Sequence, residues 1–307
     1  MKKGLYITLI LLSIFPWAKA QEEGTAEFSP IFFPQFKVEL PNEVSETSGL
    51  LFYNGRLWTH NDSGGKSILY ALDTSTFEVM QKVTLANAKN KDWEDLCTDG
   101  KTVFVGDFGN NNGNRKNLRI FTFPLSDIPE EGDTIVVVDS ITFSFADQTN
   151  FDNKKYEHDF DCEAMFATED HIYLFSKGWA TGTTRLYQLT KTPGNQVAKV
   201  VNGFDSQGLI TGADYDRENR ILVIIGYVKT IWKPFMYIIF DFDEAGVKLP
   251  NHRFEMPQLA GGQVEGICFF DYGRCYITAE TSPTRTASSF EVDFRKWIDK
   301  ELKNKKK

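Results

Sequence analysis

Helical periodicity is nearly absent from this chain before Arg295. Short runs of β-branched and aromatic residues dominate instead, separated by turns of Gly, Asn and Asp, which is the signature of strands joined by tight connections. Twenty-six Phe and eleven Tyr fit that reading. Five segments share one plan: "SGLLFYNGRLWTHND" from Ser48, "EDLCTDGKTVFVGDF" from Glu94, "EAMFATEDHIYLFSK" from Glu163, "TGADYDRENRILVIIGY" from Thr211 and "EGICFFDYGRCYITAE" from Glu265. Each opens on a polar residue, runs through a mostly apolar strand, turns on polar residues and returns as a second strand. A polar loop and a third strand follow: "SILYALD", "NLRIFTF", "RLYQLTK", "FMYIIFDFD" and "SSFEVDF".

The repeats begin 46, 69, 48 and 54 residues apart. Four-stranded propeller blades take about 40–50 residues each. The spacing therefore predicts an all-β chain, a five-bladed β-propeller of four-stranded blades. The long interval holds "DTIVVVDSITFSF", read as an outer strand, and an acidic insertion ending "YEHDFDCE". "FKVEL", Phe36 to Leu40, has no partner of its own and is expected to close the ring as the outer strand of the last blade. "FRKWIDKELKNKKK" places Trp297, Ile298 and Leu302 on one helical face and predicts a short C-terminal helix with a basic tail. The expected organisation is a signal peptide over 1–20, a leader over 21–34, the propeller over 35–294 and the helix and tail over 295–307.

The signal peptide rests on Lys2 and Lys3, the apolar run Leu5 to Phe15, and the Ala18-Lys19-Ala20 pattern before Gln21. That run is short for a membrane span. The expectation is an exported protein, secreted to the periplasm or the exterior, with a monomer as the default. Acidic residues outnumber basic ones, 42 to 34, which argues against a nucleic-acid polymer as partner. Of the four cysteines, Cys97, Cys162, Cys268 and Cys275, none forms a CxxC. Four buried thiols are the expectation, with a Cys268–Cys275 bond across a hairpin as the alternative.

Aligned on their turns, the repeats place Ser48, Glu94, Glu163, Thr211 and Glu265 at one level of the central channel. Carboxylates converging on an axis require a counter-charge. Hard oxygen ligands suit calcium better than zinc or copper, so these five are the expected metal ligands. The loops beyond the second strands return to the same face. Asp62 and Asp107 take matching positions there and are the candidate catalytic carboxylates. Arg115, Lys177, Arg185, Lys229, Lys233 and Arg285, with Trp179, Tyr227 and Trp232, surround them as candidates for binding a small, anionic, planar substrate. In "WTHNDSGGKS", His60 is too close to Ser63 in the chain for a serine-protease triad, so Asp62 is the residue of interest.

Through "SGLLFYNGRLW", "WEDLCTDGKTVFVGDFG", "CEAMF" and "VEGICFF" the chain resembles the calcium-dependent soluble apyrases. More broadly it is similar to secreted bacterial phytase-esterase-like propellers with "WED" and "GDxGNN" motifs. The resemblance implies a five-bladed fold, a channel calcium held in the order Ser, Glu, Glu, Ser, Glu, and hydrolysis of nucleoside di- and triphosphates. The family's first loop carries Asp-Asp-Arg. Here Asn61-Asp62-Ser63 stands in its place, without the Arg. The expected function is that of a calcium-dependent hydrolase of phosphoanhydrides or phosphoesters. The alternatives are a calcium-dependent esterase or lactonase, with His60 or His158 near the metal, and a binding propeller stiffened by a structural calcium.

Overall fold

The computed structural model describes residues 30–230, 232–247 and 249–305. The predicted signal peptide and the start of the leader lie outside them. Among the described residues the chain is mostly β, with one short helix at its C-terminus.

In chain order, β1 (Gln35–Glu39) is followed by a meander of β2 (Thr47–Tyr53), β3 (Arg56–Asn61), β4 (Ile68–Asp73) and β5 (Val79–Leu85). Next come β6 (Trp93–Thr98), β7 (Thr102–Asp107), β8 (Leu118–Pro124), β9 (Thr134–Val136) and β10 (Asp139–Phe145). The third meander is β11 (Asp161–Ala167), β12 (His171–Lys177), β13 (Thr184–Thr190) and β14 (Gly194–Phe204). The fourth is β15 (Leu209–Asp216), β16 (Ile221–Val228), β17 (Lys233–Phe240) and β18 (His252–Glu255). The last is β19 (Val264–Asp271), β20 (Arg274–Ala279) and β21 (Ser288–Asp293), before α1 (Arg295–Lys305). Turn chemistry sets the hairpins: Asn54 and Gly55 both have positive φ, as a two-residue type I′ turn requires.

β1 pairs antiparallel with β21, so the N-terminal strand completes the sheet of the last meander. The run "DTIVVVDSITFSF" is divided. β10 is the fourth strand beside β8, while β9 crosses to pair in parallel with β5. β10 also pairs in parallel with β14, which joins the second and third meanders into one eight-stranded sheet.

The core lies between successive meanders. Each strand's alternate residues point to opposite faces, and each face is buried against the next meander. Leu51 and Trp58 pack with Leu96 and Val105. Phe104 and Ile120 pack with Met165 and Leu174, and Phe166 and Tyr173 with Ile224 and Tyr237. Val223 and Met236 meet Ile267 and Phe290. Leu50 and Leu57 meet Cys268 and Tyr276, which brings the last meander against the first. The first strands follow the same order: β2 lies beside β6, β6 beside β11, β11 beside β15, β15 beside β19, and β19 beside β2.

Cys268 and Cys275 pack into different clusters on opposite faces of their sheet, and all four thiols are free and buried. Trp297 and Ile298 seat α1 on the core, whereas Leu302 is 48 % exposed and does not join them. The end of the leader is docked too. Phe32 packs against Phe254, ring centroids 4.3 Å apart, and its N–H reaches the Glu255 carbonyl.

Two buried aspartates tie first strands together. Asp95 accepts the N–H groups of Leu96 at 2.8 Å and of Met165, on β11, at 2.6 Å. Asp214 accepts those of Tyr215 and of Phe269, on β19, both at 2.8 Å. Burial raises the Asp214 pKa from 3.8 to about 6. The folded value lies above the unfolded one, so this group's favourable share is full below about pH 4 and lost as pH rises through about 6. Relative to Asp214→Asn, the native protein should lose stability between pH 4 and 6 in urea titrations. A pH-independent difference would contradict this.

Candidate metal centre and ligand cavity

Each first strand carries a bulge near its start, and register identifies the extra residue; β19 has a second irregularity between Phe269 and Asp271. The breaks fall at Gly49, Glu94, Glu163, Thr211 and Glu265. A bulge re-aims a side chain at the end of a strand. Here it sends the three glutamates into one polar cavity of about 290 Å³. The alignment from sequence is off by one residue in the first repeat. Ser48 pairs with His60 and is equivalent to Trp93, so Gly49 occupies the glutamate position. Gly49 has φ +50°, and a Cβ there would stand 2.5 Å from the Leu96 nitrogen, so the neighbouring strand excludes a side chain.

Ser48 and Thr211 are not in the cavity wall. Ser48 Oγ donates to the Glu94 carbonyl and Thr211 Oγ1 to the Val264 carbonyl, each at 2.5 Å. Both hydroxyls tie their strand to the next one. Of the five expected ligands, Glu94, Glu163 and Glu265 line the cavity, and their immediate partners differ.

Glu163 faces a lysine. Lys177, 3 % exposed, donates its ammonium to Glu163 Oε2. The ammonium lies 4.8 Å from the Trp179 ring and 5.3 Å from that of Tyr227. Trp179 is held by its Nε1–H to Asp161 Oδ2 at 2.7 Å and packs against Tyr156, ring centroids 4.3 Å apart and tilted by 45°. Lys229, exposed, lies 4.9 Å over Trp179, and Lys155 lies 4.8 Å over Tyr156. One wall of the cavity is thus aromatic and cationic.

Another part of the lining is acidic, formed by Asp62 and Glu94, with Asp92 beside them. Asp62, Asp92 and Glu94 each present a carboxylate oxygen within 4.8 Å of the others. Glu94 is 4 % exposed and lines the cavity, yet its carboxylate has no hydrogen bond or ion pair among the described residues. A Cβ on Gly109 would overlap Glu94 Oε1 and Asp92 Oδ2, so a glycine there is what lets the two carboxylates approach. Burial, reinforced by the neighbouring acids, raises Asp62 to about 7, Asp92 to about 6 and Glu94 well above its ordinary value. Burial likewise raises Glu280, which also lines the cavity, to about 7. Oxygen-only donors held this way fit a hard cation such as calcium, whose charge would replace the missing partner.

The remaining expected site residues are spread out. Asp107 pairs with Trp93, so it is the counterpart of His60 and not of Asp62. It is 2 % exposed, and its Oδ1 accepts the Asp92 N–H at 3.0 Å and Arg115 Nη2 at 3.1 Å. Asp107 and Arg115 therefore brace the loop behind Asp92 and do not reach a ligand. Arg185 pairs with Asp147 at 3.4 Å, Lys233 pairs with Glu255 at 3.1 Å, and Arg285 donates to the carbonyls of Gln258 and Ala260. Trp232 stands 6.3 Å from the Tyr227 ring, outside the cavity lining. His60 is fully buried, with burial lowering its pKa to about 4. His158 bonds the Asn111 carbonyl and the Phe160 N–H. Neither histidine lines the cavity.

Sequence reasoning missed Asp92, Asp161, Glu280, Lys155 and Tyr156. A signal for two of them exists: "DWE" and "DCE" repeat Asp-x-Glu at the start of two first strands. No repeat marks Lys155 and Tyr156, which come from the insertion.

No family model matches this chain, and no curated protein matches its sequence. Among solved structures it is similar to hydrazine synthase of Kuenenia stuttgartiensis, at 12 % identity and a TM-score of 0.36. That match covers 73 % of this chain and spans 61 % of the other, a likeness too low to carry an argument about fold or activity.

Proposed function

We propose that this chain is a five-bladed β-propeller, exported by its signal peptide, that binds calcium at Asp62, Asp92 and Glu94 and hydrolyses small phosphoanhydride or phosphoester substrates. The cycle of neighbouring first strands, β2–β6–β11–β15–β19–β2, supports the propeller. Among the described residues no helix is long and apolar enough to cross a membrane. The observation that carries the functional reading is Glu94: a buried, unpartnered carboxylate aimed into a cavity beside two more carboxylates.

When bound, calcium would neutralise and polarise the oxygens of an anionic substrate. The chain's own residues supply the rest. Lys177 sets a fixed positive charge in the same cavity. The Tyr156 and Trp179 rings offer aromatic surface for a planar group, and Lys155 and Lys229, which lie over them, attract charge. Asp62 Oδ1 is occupied by the Ser63 N–H, which leaves Oδ2 to take a proton from an attacking water. Ser63 lines the mouth but has no histidine to activate it.

The test is phosphate release from a panel of nucleoside di- and triphosphates and phosphomonoesters, with calcium and with a chelator. Calcium-dependent release is expected, falling about 100-fold or more in Asp62→Asn. Calcium that binds and raises the melting temperature without any release across the panel would overturn the hydrolase reading and leave a stiffening ion.

A further inference from the structure

We infer that Lys177 is a built-in cation that fills one half of the carboxylate ring, so the cavity accepts one free divalent ion and not two. This deepens the cation-site reading above and rests on it only for the other half of the ring.

Lys177 follows Ser176, the residue that faces the start of the bulge in β11. The same position holds Asn61, Phe108, Tyr227 and Glu280 in the other repeats. None of these is cationic, so the ammonium is a local feature of one repeat and not of the plan. It is well anchored: its side chain is 4 % exposed, it donates to Glu163 Oε2, and two aromatic rings lie within cation–π range. Glu265 lines the same cavity, is 7 % exposed and makes no hydrogen bond or ion pair among the described residues. A divalent ion between Glu163 and Glu265 would have to share that space with a buried ammonium. Asp62, Asp92 and Glu94 have no such occupant. Arg115 approaches only Asp92, at 3.8 Å, from behind. A free cation is therefore directed off centre, to the acidic wall.

Terbium is a suitable probe, because Trp179 next to the site can sensitise its emission, and equilibrium dialysis gives the number of ions bound. The native protein is expected to bind one, and Lys177→Met two, the second held by Glu163 and Glu265. One ion in native and none gained in folded Lys177→Met, or two in native, would overturn the inference. None in native, whatever Lys177→Met binds, would also overturn it, because the acidic wall would then hold no free ion. Glu163→Gln decides the matter independently should Lys177→Met fail to fold. With Lys177 as the partner of Glu163, terbium affinity should stay within tenfold of native. A loss beyond tenfold would make Glu163 a ligand of the free ion and refute the assignment.

Discussion

Replacing Asp95 with alanine is expected to destabilise the protein by about 2–4 kcal/mol. Asp95 is 1 % exposed, and its two oxygens satisfy the N–H groups of Leu96 and Met165. Alanine leaves both N–H groups buried without acceptors, at about 1–3 kcal/mol each. One gain offsets part of this, since burial pushes the Asp95 pKa well above its usual value and removing the group relieves that desolvation. The loss still wins, because the Met165 bond joins β6 to β11 and lies buried away from bulk solvent. A domain with about 5–15 kcal/mol in total would feel the change as a large fraction of its stability. Urea unfolding followed by tryptophan fluorescence measures it. A cost below about 1 kcal/mol would show that the two strands are held by packing alone.

The second large effect concerns Glu94 and has two opposite signs. Glu94→Gln should weaken calcium binding about 100-fold or more, since it removes the one fully buried ligand charge. The same substitution should raise the melting temperature of the calcium-free protein. In that state Glu94 is a buried carboxylate facing Asp62, Glu163 and Asp92, with no partner of its own. Removing such a charge relieves about 2 kcal/mol, or about 4–8 °C for a domain of this size. Calorimetry with and without calcium reads both effects. A lower melting temperature in the calcium-free variant would mean that Glu94 supports the fold and is not held ready for an ion. Ordinary structural carboxylates do not show this trade, so the pair of outcomes separates a binding site from a packing feature.

Much of the plan could be read from the chain because β structure is local in its signals. Alternation, β-branched runs and the Asn54-Gly55, Asp99-Gly100 and Asp271 to Gly273 turns gave the hairpins. Recurrence of glutamate at one place in three repeats pointed to the cavity, and register confirms that each of these glutamates is the extra residue of a bulge. The orphan strand near Phe36 implied a distant partner, which is β21.

What the sequence by itself determined was therefore the strands, their repeat and the glutamates that converge. Tertiary structure alone decided which neighbours those glutamates meet. Ser48 looked equivalent to Glu94 by counting, but strand pairing assigns that place to Gly49, because in a period-two structure a one-residue shift changes which group faces inward. Asp107 looked like Asp62 for the same reason and is instead bound to Arg115. Lys177 was one of many loop cations until the end of β12 carried its ammonium to Glu163. Lys155 and Tyr156 reached the cavity from an insertion with no repeat partner. Charge balance in a cavity is set by groups far apart in the chain, and only the closed arrangement of strands brings them within a few ångströms of each other.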